Sequence, residues 1–345
     1  MPFIPIWMYG NVSLAASSGQ PAACDSAQST VCLPAPQVLG AEDNSRSGTA
    51  QNTDFGLSNY NIFPIDPAMA SGLMPVNKSN MPDPHLWAGS SVAIDVDSGT
   101  ILYYVNGRKE TQIASLTKMM TATLAIENIK DLNAEVTISK VGLAVDGTVV
   151  GCPTSVYCNG NRMFPGEKVK VIDLMRAMLM NSANDAATSL GIYMAGSPDK
   201  FVDMMNAKAK SLGLVDTHFC TPSGLEIDGQ EDQCYSSAYD IARIAAYSMR
   251  YDTIWNIMQT ADGQFFSTDG KRMHVLQNTD LLLNTLPNCI GGKTGFTPLA
   301  GKSLLLGATD DTGKHKIISV LLNDDKRWED MRTLVGWIDQ NYKWQ

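Results

Sequence analysis

The stretch IASLTKMMTATLAIENI (residues 113–129) decides the fold, because apolar residues recur in it at helical spacing and its first turn carries a hydroxyl and an amine. We predict a helix that starts near Ala114. Ser115 and Lys118 are three residues apart, so they lie one turn apart on the same face of that helix. An amine in this position can accept the serine proton, provided that burial or a neighbouring cation lowers its pKa.

β-Rich runs lie on both sides of a central region with helical periodicity. The β-rich runs are residues 90–107, 288–297, 302–308 and 315–323, and the further helical segments are residues 171–196, 198–213, 237–250 and 327–342. Strands at both ends of a domain with helices between them must pair into one sheet. The sequence therefore predicts an α+β fold, in which an antiparallel sheet from both chain ends is flanked by helices and carries a helical subdomain.

Composition divides the 345 residues into two parts. Residues 1–86 are rich in Ser, Ala, Pro, Asn and Gly and show no sustained period, which predicts a mobile linker or stalk. Residues 87–345 are predicted to form the folded domain. The net charge of −9 disfavours nucleic-acid binding, and no run of about 18 apolar residues predicts a transmembrane helix.

Six of the seven cysteines fall into near-neighbour pairs, which favours disulfide-closed loops in an oxidising, extracytoplasmic compartment. The pairs are Cys24 with Cys32, Cys152 with Cys158 and Cys220 with Cys234, which leaves Cys289 over. The alternative of seven reduced thiols stays open. The cysteine spacing and the four scattered histidines disfavour a metal site, and nothing in the sequence calls for a cofactor.

The start of the chain is a poor signal peptide, because its apolar stretch has no Lys or Arg before Arg46. We therefore expect that the start is truncated or that the export signal lies upstream. Any membrane tether is expected to be N-terminal or absent.

Two further motifs accompany the Ser115 turn. Ser-Ala-Asn (182–184) follows a Met-rich helix and offers a hydroxyl and a carboxamide. Lys293-Thr294-Gly295 lies where a strand edge is expected, with Gly291 and Gly292 just before it. A Gly in a strand lets a ligand's backbone approach closely, and Lys plus Thr can bind a carboxylate. Each motif alone is weak, since Ser-Pro-Asp-Lys (197–200) also matches Ser-x-x-Lys and has the ordinary interpretation of a helix N-cap.

All three motifs in this order resemble the signature of the serine penicillin-recognising enzymes, which is S-x-x-K, S-x-N and K-T-G. The surrounding segments are similar to the low-molecular-mass D-alanyl-D-alanine carboxypeptidases over roughly residues 88–342. The resemblance implies a β-lactamase/DD-peptidase-like fold. It also implies a serine DD-peptidase that removes the terminal D-Ala of peptidoglycan stem peptides ending in D-Ala-D-Ala. β-Lactams would be its covalent inhibitors.

Carried over residue by residue, the resemblance makes Ser115 the acylated nucleophile and Lys118 its general base. Ser182 would pass a proton toward the leaving D-alanine. Asn184 would hold the donor peptide.

The resemblance also implies how the substrate's charges are held. Lys293 and Thr294 would engage its terminal carboxylate, and Arg327 matches an arginine that assists them. The alternative interpretation of Arg327 is a surface residue at a helix start. The oxyanion would rest on the backbone N–H groups of Ser115 and Phe296.

The sequence bears on four alternatives to the carboxypeptidase. A class A-like β-lactamase is disfavoured, because no Glu-x-x-Leu-Asn segment lies between Asn184 and Lys293 and the second motif is Ser-Ala-Asn instead of Ser-Asp-Asn. A DD-endopeptidase of peptidoglycan cross-links stays open. A silent wall-binding protein would be favoured by a missing motif residue, and none is missing. A Ser-His-Asp hydrolase is disfavoured by the lack of a Gly-x-Ser-x-Gly elbow.

Overall fold

The computed structural model describes residues 72–153 and 157–345. The strands in these ranges are β1 (Pro75–Asn77), β2 (Ser90–Asp95), β3 (Ile101–Val105), β4 (Glu135–Thr137), β5 (Lys168–Lys170), β6 (Asp262–Phe266), β7 (Met273–Gln277), β8 (Cys289–Thr297), β9 (Gly301–Thr309), β10 (Lys316–Leu322) and β11 (Tyr342–Trp344). The α-helices are α1 (Lys118–Asn128), α2 (Lys140–Leu143), α3 (Val171–Met180), α4 (Asn184–Ala195), α5 (Pro198–Ser211), α6 (Ala238–Ser248), α7 (Asp252–Met258) and α8 (Arg327–Asn341).

A five-stranded antiparallel sheet organises these elements in the order β3-β2-β10-β9-β8. Its strands come from both ends of the domain, which confirms the predicted sheet and the α+β class. β2 pairs with β10 in a register that sets Ala93 opposite Ser319. All of β2 is buried, because both faces of this central strand are covered. β8 lies at the edge of the sheet, where a strand keeps unpaired backbone groups on one side.

Two apolar cores lie on the two faces of the sheet, because successive side chains of a strand point to opposite faces. Val92 of β2 belongs to the larger core, which the central helices fill with residues such as the fully buried Met175 of α3. Ala93 belongs to the smaller core, where it is joined by Leu334 and Ile338 of α8. The larger core supports the helices that carry the first two motifs.

Local signals set the ends of several elements. Ser197 caps α5 by accepting a hydrogen bond from the Lys200 backbone N–H, with Pro198 in the first turn. Gly213 follows the end of α5 with a φ of +62°. The turn between β9 and β10 closes through a 3.0 Å hydrogen bond from the Gly313 N–H to the Asp310 carbonyl. These ends agree with the turn and cap residues in the sequence.

Residues 72–86 lie before the domain boundary expected at residue 87, and the structure describes them. Strand β1 pairs with β11 at the other end of the domain. Trp337 of α8 donates a 2.8 Å hydrogen bond to the Pro82 carbonyl. Residues 72–86, which the sequence interpretation placed in the stalk, thus contact the C-terminal helix and strand. The rest of the expected stalk, with Cys24 and Cys32, lies outside the described residues.

Within residues 72–153 and 157–345, no helix is both long and apolar enough to span a bilayer. The same ranges hold no group of three or more His, Cys, Asp or Glu side chains arranged to bind a metal ion.

Candidate active site

The hydroxyl of Ser115 and the amine of Lys118 lie side by side at the start of α1. Ser115 sits in a 3-10 turn (Ala114–Thr117) that leads directly into the helix. The Ser115 Oγ to Lys118 Nζ distance is 2.7 Å. Ser115 is half-buried, whereas Lys118 is fully buried. Only the hydroxyl is therefore presented toward solvent, with the amine directly behind it.

Two carbonyl oxygens complete the surroundings of the Lys118 amine. Its Nζ donates to Asn184 Oδ1 at 2.8 Å and to the backbone carbonyl of Ser223 at 2.7 Å. A neutral amine has two N–H donors and one lone pair, so these two acceptors leave the lone pair for the Ser115 hydroxyl. Burial, and then the nearby charge of Lys293, lowers the pKa of Lys118 well below its ordinary value. The site thus favours the form of Lys118 that accepts a proton.

A second buried lysine lies across the site. Lys293 of β8 donates to Ser182 Oγ at 2.9 Å and to the Thr294 carbonyl at 2.8 Å. Burial, followed by the charge of Arg327, lowers the pKa of Lys293 to about 7. Ser182 occupies the left-handed region with a φ of +61°, which is rare for a residue other than glycine. This conformation separates α3 from α4 and directs the hydroxyl toward β8.

The loop before Cys152 holds Asn184 in place. Asn184 Nδ2 donates to the Asp146 carbonyl at 2.7 Å, and the Asn184 backbone N–H donates to the Thr148 carbonyl at 2.8 Å. Buried Asp185 accepts a hydrogen bond from the Val150 N–H at 3.0 Å. Burial raises the pKa of Asp185 to about 6. Asn184 is thus fixed from both its backbone and its side chain.

Strand β8 forms the opposite wall. A Cβ atom on Gly295 would lie 3.0 Å from the Ile113 carbonyl, so this wall and the turn before Ser115 are in close contact. The Thr294 hydroxyl lies 2.7 Å from that of Thr279. Phe296 follows and is 62% exposed. The wall therefore presents backbone and hydroxyl groups of the Lys-Thr-Gly motif to the space above Ser115.

Arg327 at the start of α8 lies behind β8. Its Nη1 donates to the Gly295 carbonyl at 2.9 Å and to the Ser303 carbonyl at 3.1 Å. Its Nε is buried and has no hydrogen-bond partner among the residues that the structure describes. The Arg327 guanidinium thus supports β8 through Nη1, and its Nε–H makes no hydrogen bond within the described residues.

A cleft of about 460 Å³ connects these groups. It is lined by Ser115, Gly147, Thr148, Pro153, Ser182, Asn184, Gly224, Leu225, Thr279, Thr294, Gly295, Phe296, Thr297, Lys302 and Arg327. Seven of the nine catalytic and substrate-binding residues named from the sequence therefore line one space. The other two, Lys118 and Lys293, hydrogen-bond to residues that line it.

Sequence reasoning missed the loop that follows α5. Ser223 supplies the carbonyl that holds Lys118, and Gly224 lies directly against the turn before Ser115. A Cβ on Gly224, whose φ is +81°, would lie 1.9 Å from the Ala114 carbonyl. The only signal was the segment Thr-Pro-Ser-Gly inside the region of resemblance, and nothing in it showed which helix it contacts.

The structure contains two of the disulfides expected from the sequence, Cys152–Cys158 and Cys220–Cys234. Cys289 is a free cysteine at the start of β8. Burial and then the charge of Asp280 raise the pKa of Cys289 to about 12, so this thiol is not activated. Cys289 therefore has the properties of a partly buried strand residue.

The second Ser-x-x-Lys match is an ordinary helix cap. Ser197 bonds the backbone of Lys200, and the Lys200 side chain is exposed on α5. Nothing at this position buries the amine, which separates it from the pair at Ser115.

Comparisons with known proteins agree with this geometry. The Peptidase S11 family, described as D-alanyl-D-alanine carboxypeptidase, matches residues 77–326. D-Alanyl-D-alanine carboxypeptidase DacA of Escherichia coli (strain K12) is 35% identical over 241 residues, which are 69% of this chain and 57% of that protein. This chain thus spans less than two thirds of that curated relative.

Solved structures are similar as well. A D-alanyl-D-alanine carboxypeptidase from Mycobacterium tuberculosis H37Rv has a TM-score of 0.66 and 28% identity, and the match covers 76% of this chain and 94% of that one. Penicillin-binding protein D2 from Listeria monocytogenes, in an ampicillin-bound form, has a TM-score of 0.62 and 27% identity, with coverage of 75% and 99%.

Proposed function

Since the chain belongs to the Peptidase S11 family of D-alanyl-D-alanine carboxypeptidases, we propose that it removes the terminal D-Ala from peptidoglycan stem peptides through an acyl-enzyme on Ser115. The observation that carries this proposal is the 2.7 Å contact between the Ser115 hydroxyl and the fully buried Lys118 amine. A buried, uncharged lysine is the base that such a serine needs at neutral pH.

Acylation begins when Ser115 Oγ attacks the carbonyl carbon between the two D-alanines. The hydroxyl proton passes to Lys118 Nζ, whose lone pair faces it. The carbonyl oxygen becomes an oxyanion, which the backbone N–H groups of Ser115 and Phe296 stabilise. Removal of one such donor in other enzymes costs about 3 kcal/mol of transition-state stabilisation.

Collapse of this intermediate breaks the C–N bond and releases D-alanine. Its leaving nitrogen needs a proton, and Ser182 passes one on from the protonated Lys118. Ser182 is suited to this step because Lys293 holds its hydroxyl at 2.9 Å. Water then attacks the ester on Ser115, and Lys118 accepts the water's proton. The ester C–O bond breaks, and Lys118 returns the proton to Ser115 Oγ. The stem peptide, shortened by one residue, leaves the site.

The terminal carboxylate of the substrate binds at the Lys293 and Thr294 positions of β8. Lys293 and Thr294 engage it, and the guanidinium of Arg327, which lines the same cleft, adds a further positive charge. Asn184 holds the donor peptide against β8. The same groups bind β-lactams, whose carboxylate stands for that of the terminal D-alanine.

Intact mass after incubation with benzylpenicillin tests the proposal, with Ser115→Ala as the control. We expect a persistent one-to-one adduct on the wild type alone, together with release of D-alanine from a stem pentapeptide. Rapid hydrolysis of the drug without a lasting adduct would favour the β-lactamase instead. No reaction with either compound would favour the silent wall-binding protein. Hydrolysis of a cross-linked peptide dimer in preference to release of D-alanine would favour the endopeptidase.

We also place the enzyme outside the cytoplasm, in the periplasm or on the cell-wall face of the membrane. The two disulfides support this location, because cytosolic reductants keep such cysteine pairs reduced. Alkylation of protein from its native compartment, with and without prior reduction, tests it by mass. We expect Cys152, Cys158, Cys220 and Cys234 to react only after reduction, and reaction without reductant would contradict the location.

A further inference from the structure

The catalytic scheme leaves unused a carboxylate that is hydrogen-bonded to a residue of the cleft wall. Glu226 lies in the loop after α5, and its Oε1 accepts a hydrogen bond from the Thr297 hydroxyl at the end of β8. Glu226 is half-buried, and its Oε2 has no hydrogen-bond or ionic partner within the described ranges. One carboxylate oxygen is thus anchored and the other is free to bind a ligand.

Both neighbours of this carboxylate line the cleft. Leu225 precedes Glu226 in the chain, and Thr297 is its hydrogen-bond partner. The loop cannot move far, because Gly224 lies against the Ala114 carbonyl and the Ser223 carbonyl accepts from Lys118. Glu226 therefore has a fixed position relative to the Ser115 turn.

The direction of the bound peptide follows from the proposed roles. Its terminal carboxylate lies at Lys293 and Thr294, and the carbonyl that is attacked lies at Phe296. A strand advances about 3.3 Å per residue, so the residue before D-Ala-D-Ala lies past Phe296, beside Thr297. Its side chain then reaches the loop that carries Glu226.

Charge along the cleft supports a cationic partner at this end. Residues 211–242 contain no Lys or Arg, and Asp228, Glu231 and Asp232 accompany Glu226 in the same loop. Lys302 also lines the cleft, but its amine is paired with Asp325 at 2.9 Å. The loop that carries Glu226 is thus acidic and free of Lys and Arg, whereas Lys293 lies where the terminal carboxylate binds.

We infer that Glu226 binds the side-chain ammonium group of a diamino acid that precedes D-Ala-D-Ala, and so selects stem peptides with a free amine at that position. This inference rests on the proposed function. The free Oε2 accepts a charge-assisted hydrogen bond from the ammonium group, while Thr297 holds the carboxylate in orientation.

Two peptides that differ only in this amine test the inference. Nα-acetyl-L-Lys-D-Ala-D-Ala has a free side-chain amine, and Nα,Nε-diacetyl-L-Lys-D-Ala-D-Ala does not. We expect kcat/KM for D-alanine release to be roughly tenfold higher for the first peptide, as one partly exposed charge-assisted hydrogen bond would provide. Equal values for the wild type would overturn the inference and leave the proposed function intact. No D-alanine release from either peptide would overturn both.

Two variants distinguish a direct contact with Glu226 from the effect of the summed negative charge of its loop. In Glu226→Gln the amide oxygen can still accept from Thr297, so the ratio of the two kcat/KM values is expected to fall toward one. Asp232→Asn removes the same charge from an exposed position and should keep the wild-type ratio. An equal loss in both variants would contradict a contact with Glu226. The rate of acylation by benzylpenicillin, which carries no amine, reports whether each variant retains a folded site.

Discussion

Lys293 donates a hydrogen bond to Ser182 at 2.9 Å across 111 positions of the chain. This contact joins the edge of the sheet to the connection between α3 and α4. It places a second fully buried lysine in the site that holds Lys118, and the charge of Lys293 helps to lower the pKa of Lys118. Burial and the charge of Lys293 thus make the surroundings of Lys118 unfavourable for positive charge, whereas burial and the charge of Arg327 do the same for Lys293.

Lys118→Met should reduce acylation by benzylpenicillin at least 100-fold, because the Ser115 proton loses its acceptor. Stopped-flow measurement of the second-order acylation rate checks this. Lys200→Met, at the other Ser-x-x-Lys match, is the control and should stay within twofold of the wild type. A Lys118→Met enzyme that acylates at the wild-type rate would show that another group takes the proton.

The lowered pKa of Lys293 predicts how stability depends on pH. Between its folded pKa of about 7 and the ordinary value of 10.5, the unfolded chain holds a proton that the folded protein has released. The Lys293 contribution to the free energy of unfolding therefore rises with pH across this window, by up to about 1.4 kcal/mol per pH unit. Below pH 7 both states hold the proton and the contribution is flat.

Urea denaturation of the wild type and Lys293→Met at pH 7.5, 8.5 and 9.5 checks this slope. The difference in free energy of unfolding between the two proteins should grow in favour of the wild type as the pH rises. Parallel curves would mean that the Lys293 pKa is not lowered in the folded state.

Arg327→Lys should weaken recognition of the terminal carboxylate, because lysine keeps the charge but loses the planar set of donors. We expect kcat/KM for a free D-Ala-D-Ala terminus to fall roughly tenfold. The preference for a free over an amidated terminus should fall with it. Arg332→Lys, further along α8 and exposed, is the matched control. An unchanged preference in Arg327→Lys would assign Arg327 to support of β8 alone.

Gly224→Ala should destabilise the protein and abolish acylation. The added Cβ would overlap the Ala114 carbonyl, so the loop that holds Lys118 must move. Gly229→Ala is the control, because its φ of +78° carries the same left-handed strain but its Cβ would meet nothing within 4 Å. Gly229→Ala should cost only about 1 kcal/mol, whereas Gly224→Ala should cost several times more. Thermal denaturation measures both, and equal losses would contradict the steric argument.

The sequence by itself determined the features that depend on neighbours in the chain. The Ser115 and Lys118 side chains meet because three positions are one helical turn. Ser197 and Gly213 mark the ends of α5 through capping chemistry that needs few residues. The alternating and helical patterns were enough to predict strands at both ends with helices between them.

Only the tertiary structure decided which distant groups meet in the site. The Ser223 carbonyl holds Lys118 across 105 positions, and Thr279 lies against Thr294 from outside the three motifs. The contact between Glu226 and Thr297 spans 71 positions. Such contacts depend on how the helices pack on the sheet, and that packing is set by the whole apolar core. The sequence named the groups that we propose to react, whereas the burial that lowers the pKa of Lys118 exists only in the folded protein.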